Sequence, residues 1–265
     1  MEKLVLKDAA CLFVLFFAVH SANAGPIGSI YDGLAQNSNT STDVWSYWST
    51  LSGNSTTTSG VTTGSVLTDG GIFTPPAGGL PGYCGSGNVS TCIPGFLFND
   101  EAADATFTPG SGNTIAIQPG EVWAHPSGGG AVIASYLNTT GSAQMINIEF
   151  GFNHIDRDSI NNSSVGWNGV GYDVGIESTA GIFNSLSSGS LLETSVTSSI
   201  NSVLLDANER LNFIVRSLGD LRGDSTIVSA SLSAVDTDPT SQVPSPATLG
   251  LMGLGLLVLT RRRNT

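Results

Sequence analysis

From about Thr106 onward the chain alternates apolar and polar residues in short bursts separated by Gly, Pro, Asn and Ser, the pattern of strands joined by turns. The bursts predict strands over Thr114–Ile117, Val122–Ala124, Ala131–Leu137, Met145–Phe152, Tyr172–Glu177, Leu191–Thr197, Val203–Leu205, Leu211–Val215 and Ile227–Val235. The period is plainest where Ile146, Ile148, Phe150 and Phe152 alternate with Asn147, Glu149 and Gly151. Leu211, Phe213 and Val215 repeat it against Asn212 and Ile214, and Val228, Ala230, Leu232 and Ala234 against Ser229, Ser231 and Ser233. Successive side chains of a strand point to opposite faces, so each strand is expected to bury one face and wet the other. Strands this short and this regularly spaced predict an all-β jelly-roll or Greek-key β-sandwich.

Composition agrees. The 35 Ser, 25 Thr and 33 Gly suit turns and half-exposed strands and exclude an all-α fold. Residues 25–71 are polar, and Val44-Trp45-Ser46-Tyr47-Trp48 beside Asp43 predicts a decorated sheet edge or a long loop, because disorder would not spend two tryptophans. Between the terminal segments the body holds four Arg and no Lys against 19 acidic residues, a net charge of −15, which argues against nucleic acid or an anionic lipid surface as a partner.

The two ends carry addresses. Lys3 and Lys7 precede the apolar run Ala9–Val19, and Ala22-Asn23-Ala24 supplies a small-x-small cleavage site, so residues 1–24 are expected to be a secretory signal helix cut after Ala24. That run is too short to span a bilayer. At the other end Val243-Pro244-Ser245-Pro246 leads into the Gly-rich apolar run Leu249–Leu259 and then Arg261, Arg262 and Arg263. As a helix, Ala247–Thr260 reaches about 21 Å against a hydrocarbon core of about 30 Å, a short transmembrane helix whose arginines stay in the cytoplasm.

This tail resembles the sorting signal of PEP-CTERM proteins, exported bacterial proteins processed by a membrane protease called an exosortase. Val243, Pro244, Pro246, Ala247, the apolar run and the arginine cluster carry the resemblance; Ser245 stands where the family usually has glutamate. It implies an exosortase-type protease as a partner, at least transient anchoring in the inner membrane through the C-terminal helix, and a surface or matrix role beside an extracellular polysaccharide. A simple tail anchor that is never cut is the alternative. The expected organisation is a signal peptide over 1–24, a sandwich over 25–235, a linker over 236–242 and the sorting segment over 243–265.

The body is also similar to jelly-roll, lectin-like surface domains. Trp45–Trp48, the segment Trp123–Pro126, and Val203–Asp206 running on to Leu211–Phe213 and Asp224–Thr226 carry that similarity, with Asn208-Glu209 where those domains have a Gly-Asp turn.

Candidate chemistry is sparse. After export Cys84 and Cys92 remain as an even pair closing a short Gly/Ser-rich loop, which reads as a disulfide; a two-Cys metal site would lack further ligands. Asp156, Asp158 and Asn161 place oxygen donors in one loop after His154, a candidate calcium site that would need ligands from elsewhere, with a plain polar loop as the alternative. No other cofactor is expected. His125 before Pro126 is expected to orient a turn, and Arg222-Gly223-Asp224 to form one. No Gly-x-Ser-x-Gly elbow is present, and the reading is of a non-enzyme, with a secreted glycan-active hydrolase as the alternative. Trp45, Trp48 and Trp123 are the candidate ligand-binding residues, since an exposed indole offers a flat face for a sugar ring; core packing is the competing fate, and about half of the four tryptophans are expected to be buried.

Overall fold

The computed structural model describes residues 26–34, 39–50, 65–73, 80–85, 92–107, 115–155, 169–192, 194–219 and 224–235. The signal segment 1–24, the linker 236–242, the sorting segment 243–265, the calcium candidates Asp156, Asp158 and Asn161, and also Trp167 and Arg222, lie outside the described residues. Among the described residues no helix is long and apolar enough to cross a membrane. Residues 26–234 form one compact unit.

In chain order the elements begin with β1 (Pro26–Ser29), α1 (Ile30–Leu34), β2 (Trp45–Ser49), β3 (Ser65–Val66), β4 (Thr68–Phe73) and β5 (Leu80–Cys84). Next come β6 (Gly95–Phe98), β7 (Ala105–Phe107), β8 (Ile115–Ile117), β9 (Val122–His125) and β10 (Ala131–Leu137). The last six are β11 (Gln144–His154), β12 (Val170–Glu177), β13 (Phe183–Leu191), β14 (Ser195–Leu205), β15 (Arg210–Ser217) and β16 (Thr226–Ala234). The larger sheet runs β14-β11-β16-β9-β6-β5-β4, with β1 also paired to β16, and the smaller sheet runs β13-β12-β15-β10-β2-β3. From β9 to β16 the chain passes repeatedly from one sheet to the other, and this antiparallel winding makes the body a jelly-roll sandwich.

Period-2 alternation places the core. Ile146, Ile148, Phe150 and Phe152 of β11 and Val228, Ala230 and Leu232 of β16 meet Val132, Ala134, Leu211, Phe213, Val215, Val170 and Val174 of the facing sheet. Ser229 and Ser231, at the odd positions of β16, are exposed, as one-face burial requires. The smaller sheet departs from that expectation. All of β10 from Ala131 to Tyr136 and all of β15 from Leu211 to Val215 are buried, so the sheet is covered on its outer face as well.

Two further departures have local causes. The strand expected over Leu191–Thr197 is the end of β13 and the start of β14, because the chain changes sheets between those two strands. Residues Phe183–Ser190 and Ser198–Asn201, too Ser-rich to show a period, are strands at the margins of the two sheets, where β12 and β11 supply a hydrogen-bonding ladder and no buried face is needed.

A second apolar cluster sits on the outside of the larger sheet. Leu97, Trp123 and Ile227 there meet Ala105, Ile115 and Ile117 of the β7–β8 hairpin, with Leu80 and both cysteines. Cys84 and Cys92 are disulfide-bonded, with Cα atoms 4.8 Å apart, and clip the start of β6 to the end of β5. Closing so short a loop removes unfolded-state freedom equivalent to about 2.5 kcal/mol. The double variant Cys84→Ser/Cys92→Ser is expected to lose about that much stability in urea denaturation; an unchanged midpoint would mean that the β5–β6 ladder alone fixes this corner.

Candidate functional site

The three candidate indoles are interior, which corrects the expectation of exposed platforms. Trp45 is 2% exposed, Trp48 9% and Trp123 0%. Trp45 points into the sandwich, its ring 5.6 Å from Tyr136 and 6.0 Å from Phe213. Trp123 lies in the second cluster under the β7–β8 hairpin. The proximity of Asp43 suggested exposure, yet β2 is paired to both β10 and β3, so its odd positions fill the core and its even positions the outer layer of the smaller sheet.

That outer layer explains Trp48. Its indole N–H donates to Ser46 Oγ at 2.8 Å, and the Arg210 guanidinium stands over its ring at 5.5 Å. Arg210 also donates to Ser46 Oγ and Ser135 Oγ, each at 3.2 Å, and to the Ser41 carbonyl. Asn212 Nδ2 donates to Glu177 Oε2 at 3.0 Å. Asp173 accepts from Ser185 Oγ at 2.6 Å and faces Arg216 at 3.6 Å. Burial raises the Asp173 carboxyl above its ordinary value against the pull of Ser185, Arg216 and the Val174 amide, and burial lowers Arg210 while Glu177 opposes. Among the described residues most of these polar groups are spent on one another.

The open face is on the other sheet. On one side of β16, β9 pairs with residues 226–228 and β1 with residues 231–233, so the two short strands meet β16 end to end. Neither gives a strand partner to Ser229 or Ala230. The interruption is the wall of a groove of about 510 Å³ whose floor is the outer face of β16, β11 and β14. Ser29–Tyr31 and Gly120–Val122 flank it; Glu149, Asn153, Ser195, Thr197, Ser229 and Ser231 line its floor. Gly151, between Thr197 and Ser229 in the ladders, keeps the floor low: a Cβ there would meet Ser229 Oγ at 2.8 Å.

Both walls are set by local sequence. Ser29 and Asp32 form a capping box, with Ser29 N–H donating to Asp32 Oδ2 at 3.1 Å and Asp32 N–H to Ser29 Oγ at 3.2 Å, which turns the chain from β1 into α1. Tyr31, half-buried on that helix, sets its ring edge-on to Phe98 at 5.7 Å. Opposite, Gly120 has φ +80°, a conformation that favours glycine, and its N–H donates to the Asn99 carbonyl at 2.8 Å. Gln118 N–H donates to Glu121 Oε2 at 2.8 Å, holding that carboxylate at the groove wall. Of these residues the sequence pointed only to Glu121, as a polar neighbour of Trp123, and it missed the rest. The Ser29-x-x-Asp32 box and the Pro119-Gly120 turn were the available signals, and they mark chain reversals rather than a site.

Residues 242–264 match the PEP-CTERM protein-sorting motif, which marks the chain as an exported protein sorted to the cell envelope. No curated protein matches the chain. Among solved structures it is similar to a family 29 carbohydrate-binding module at TM-score 0.31 and 17% identity, over 56% of this chain and 95% of that one. It is similar also to TmCBM61, solved with β-1,4-galactotriose, at TM-score 0.29 and 12% identity, over 43% of this chain and 70% of that one. A third is a GH26-CBM35 β-(1,4)-mannanase of Podospora anserina at TM-score 0.28 and 16% identity, over 54% of this chain and 28% of that one. At scores this low the likeness bears on neither fold nor function.

At the end of the larger sheet where Thr226 of β16 pairs with His154 of β11 and Ala124 of β9 lie buried polar residues: His125, His154, Thr226, and Asp224 and Ser225 just before β16. Among the described residues no group of His, Cys, Asp and Glu is arranged to hold a metal. His125 Nδ1 lies 2.6 Å from the Pro126 carbonyl, which can only accept, so the ring is the Nδ1–H tautomer and does orient the turn. Burial lowers its pKa from 6.5 to about 4, the Pro126 contact opposing and His154 adding to the fall. A histidine depressed in the folded state takes up its proton more readily when unfolded. Its contribution is therefore complete above about pH 6.5 and is lost as pH falls toward 4, about 3 kcal/mol over that window. Wild type should lose more stability than His125→Gln between pH 7 and pH 4.5 in denaturant titrations; parallel losses would show that this histidine is not kept neutral by the fold.

Proposed function

We propose that the mature protein is a cell-envelope or extracellular-matrix component that binds an extracellular polysaccharide in the groove over β16, β11 and β14. The carrying observation is the groove itself: a shallow open trough floored by regular strands and lined by hydroxyls, an amide and two carboxylates. Ser195, Thr197, Ser229, Ser231 and Asn153 can each exchange hydrogen bonds with sugar hydroxyls, and Glu121 and Glu149 accept from them. Between β9 and β1 the edge of β16 adds backbone groups to the same wall. Acidic polymers are repelled by a body of net charge −15.

Delivery follows from the tail in this reading. The segment from Val243 holds the chain in the inner membrane by its short apolar helix, stopped by Arg261–Arg263, until an exosortase-type protease releases it near Val243–Pro246. The helix is too short for comfortable permanent anchoring, which supports processing over a lasting anchor.

Affinity electrophoresis of the full chain against neutral and acidic polysaccharides tests the groove. Neutral polymers should retard the wild type and acidic ones should not, with no new reducing ends formed. Ser229→Tyr, which fills the floor from an exposed position, should abolish retardation while the melting temperature stays unchanged. Equal retardation of wild type and Ser229→Tyr, or none by any neutral polymer, would remove the groove as the binding site.

A further inference from the structure

The distribution of charge refines the ligand, in an inference that rests on the polysaccharide reading above. Among the described residues the side chains that are cationic at neutral pH are Arg210 and Arg216, and both lie on the outer face of the smaller sheet. There Arg216 faces Asp173, and Arg210 is occupied by Trp48, Ser46 and Ser135. The groove lies on the outer face of the opposite sheet, and the charged side chains among the described residues that line it are Glu121 and Glu149. Glu121 is held by the Gln118 amide, so its charge is fixed in place before any ligand arrives. Glu149 is exposed on β11, opposite Ser199 on one side and Ser231 on the other.

The two carboxylates flank β16: Glu149 sits on β11 opposite Ser231, and Glu121 just before β9, whose Val122 pairs with Val228. Their backbones are therefore about two strand spacings across the sheet and about two residues along it apart, roughly 12 Å. A chain crossing β16 passes each in turn. The hydroxyl floor between them suits sugar rings, and the carboxylates suit a positive substituent on those rings. We infer that the groove prefers a hydroxyl-rich polymer carrying ammonium groups, an amino-sugar polysaccharide with free amines, over its neutral N-acylated counterpart. Binding then has two parts: a salt-resistant part from the floor and walls, and a salt-sensitive part from the pairs at Glu121 and Glu149.

The probes are chitosan oligomers with protonated amines and fully N-acetylated oligomers of the same length, titrated into the full chain in detergent. The deacetylated oligomer should bind about fivefold more tightly at low salt, as two exposed ion pairs allow. At about 1 M salt, where the screening length is about 3 Å, the two oligomers should bind alike. Glu121→Gln/Glu149→Gln should lose the preference, so that the two oligomers bind alike at low salt, with an unchanged melt. Equal affinities at low salt, or a preference that survives the double variant, would overturn the inference while leaving the polysaccharide reading intact. Polylysine competing as well as chitosan would overturn it too, since the groove would then be reading charge without sugar. If neither oligomer nor any neutral polymer binds, it is the polysaccharide reading that fails.

Discussion

Hydrogen bonding along both edges of β16 joins the first strand of the body to the last and decides what each face of the larger sheet meets. One edge pairs with β11 over its whole length. The other is shared by β9 and β1, which lie far apart in sequence and reach β16 at different heights. Because the strand period is two, that pairing commits Val228, Ala230 and Leu232 to the sandwich core and Ile227, Ser229 and Ser231 to the outside. A register slip of one residue would bury the serines and expose the core. The same ladder that builds the core thus fixes the groove floor, and the break between its two short partners opens the wall.

The elements that were legible in the sequence are those whose two faces meet different surroundings. β11 and β16 announce themselves by alternation, since water lies on one side and the core on the other. β13 and β14 do not, because Ser-rich strands at a sheet margin are held by backbone ladders that leave no apolar period. The tryptophans misled for a related reason. Both sides of β2 are buried, so Trp45 and Trp48 carry no alternation to separate a core indole from a surface one, and the nearby Asp43 pointed the wrong way. The groove was invisible because Tyr31, Glu121, Glu149, Thr197 and Ser229 come from five separate stretches, and only the register of β16 brings them together.

The two outer faces of the sandwich handle polarity in opposite ways. On the smaller sheet, carboxylates and guanidinia are packed with Trp48 and serines until each charge has a partner, a layer that contributes specificity of packing more than net stability. On the larger sheet half of the outer face is capped by the β7–β8 hairpin and the disulfide corner, and the other half is left open and hydroxylated. Polar groups exposed to water cost nothing to keep unpaired, so this half can hold hydrogen-bonding capacity in reserve for a ligand.

A groove built on strands has its side chains fixed by the ladders beneath them, which reduces what must be ordered when a ligand binds. It is also shallow, and hydroxyl-to-hydroxyl exchange with a sugar gains little over exchange with water, so a single groove is expected to hold a polymer weakly. The sorting motif changes the consequence of that weakness. On the polysaccharide reading, copies delivered to one envelope surface would present several grooves to one long chain, and each further contact would be made at the high effective concentration set by the first. Weak, repeated engagement of a polymer would suit display at a surface, whereas the same groove on a freely diffusing monomer would release a ligand so bound.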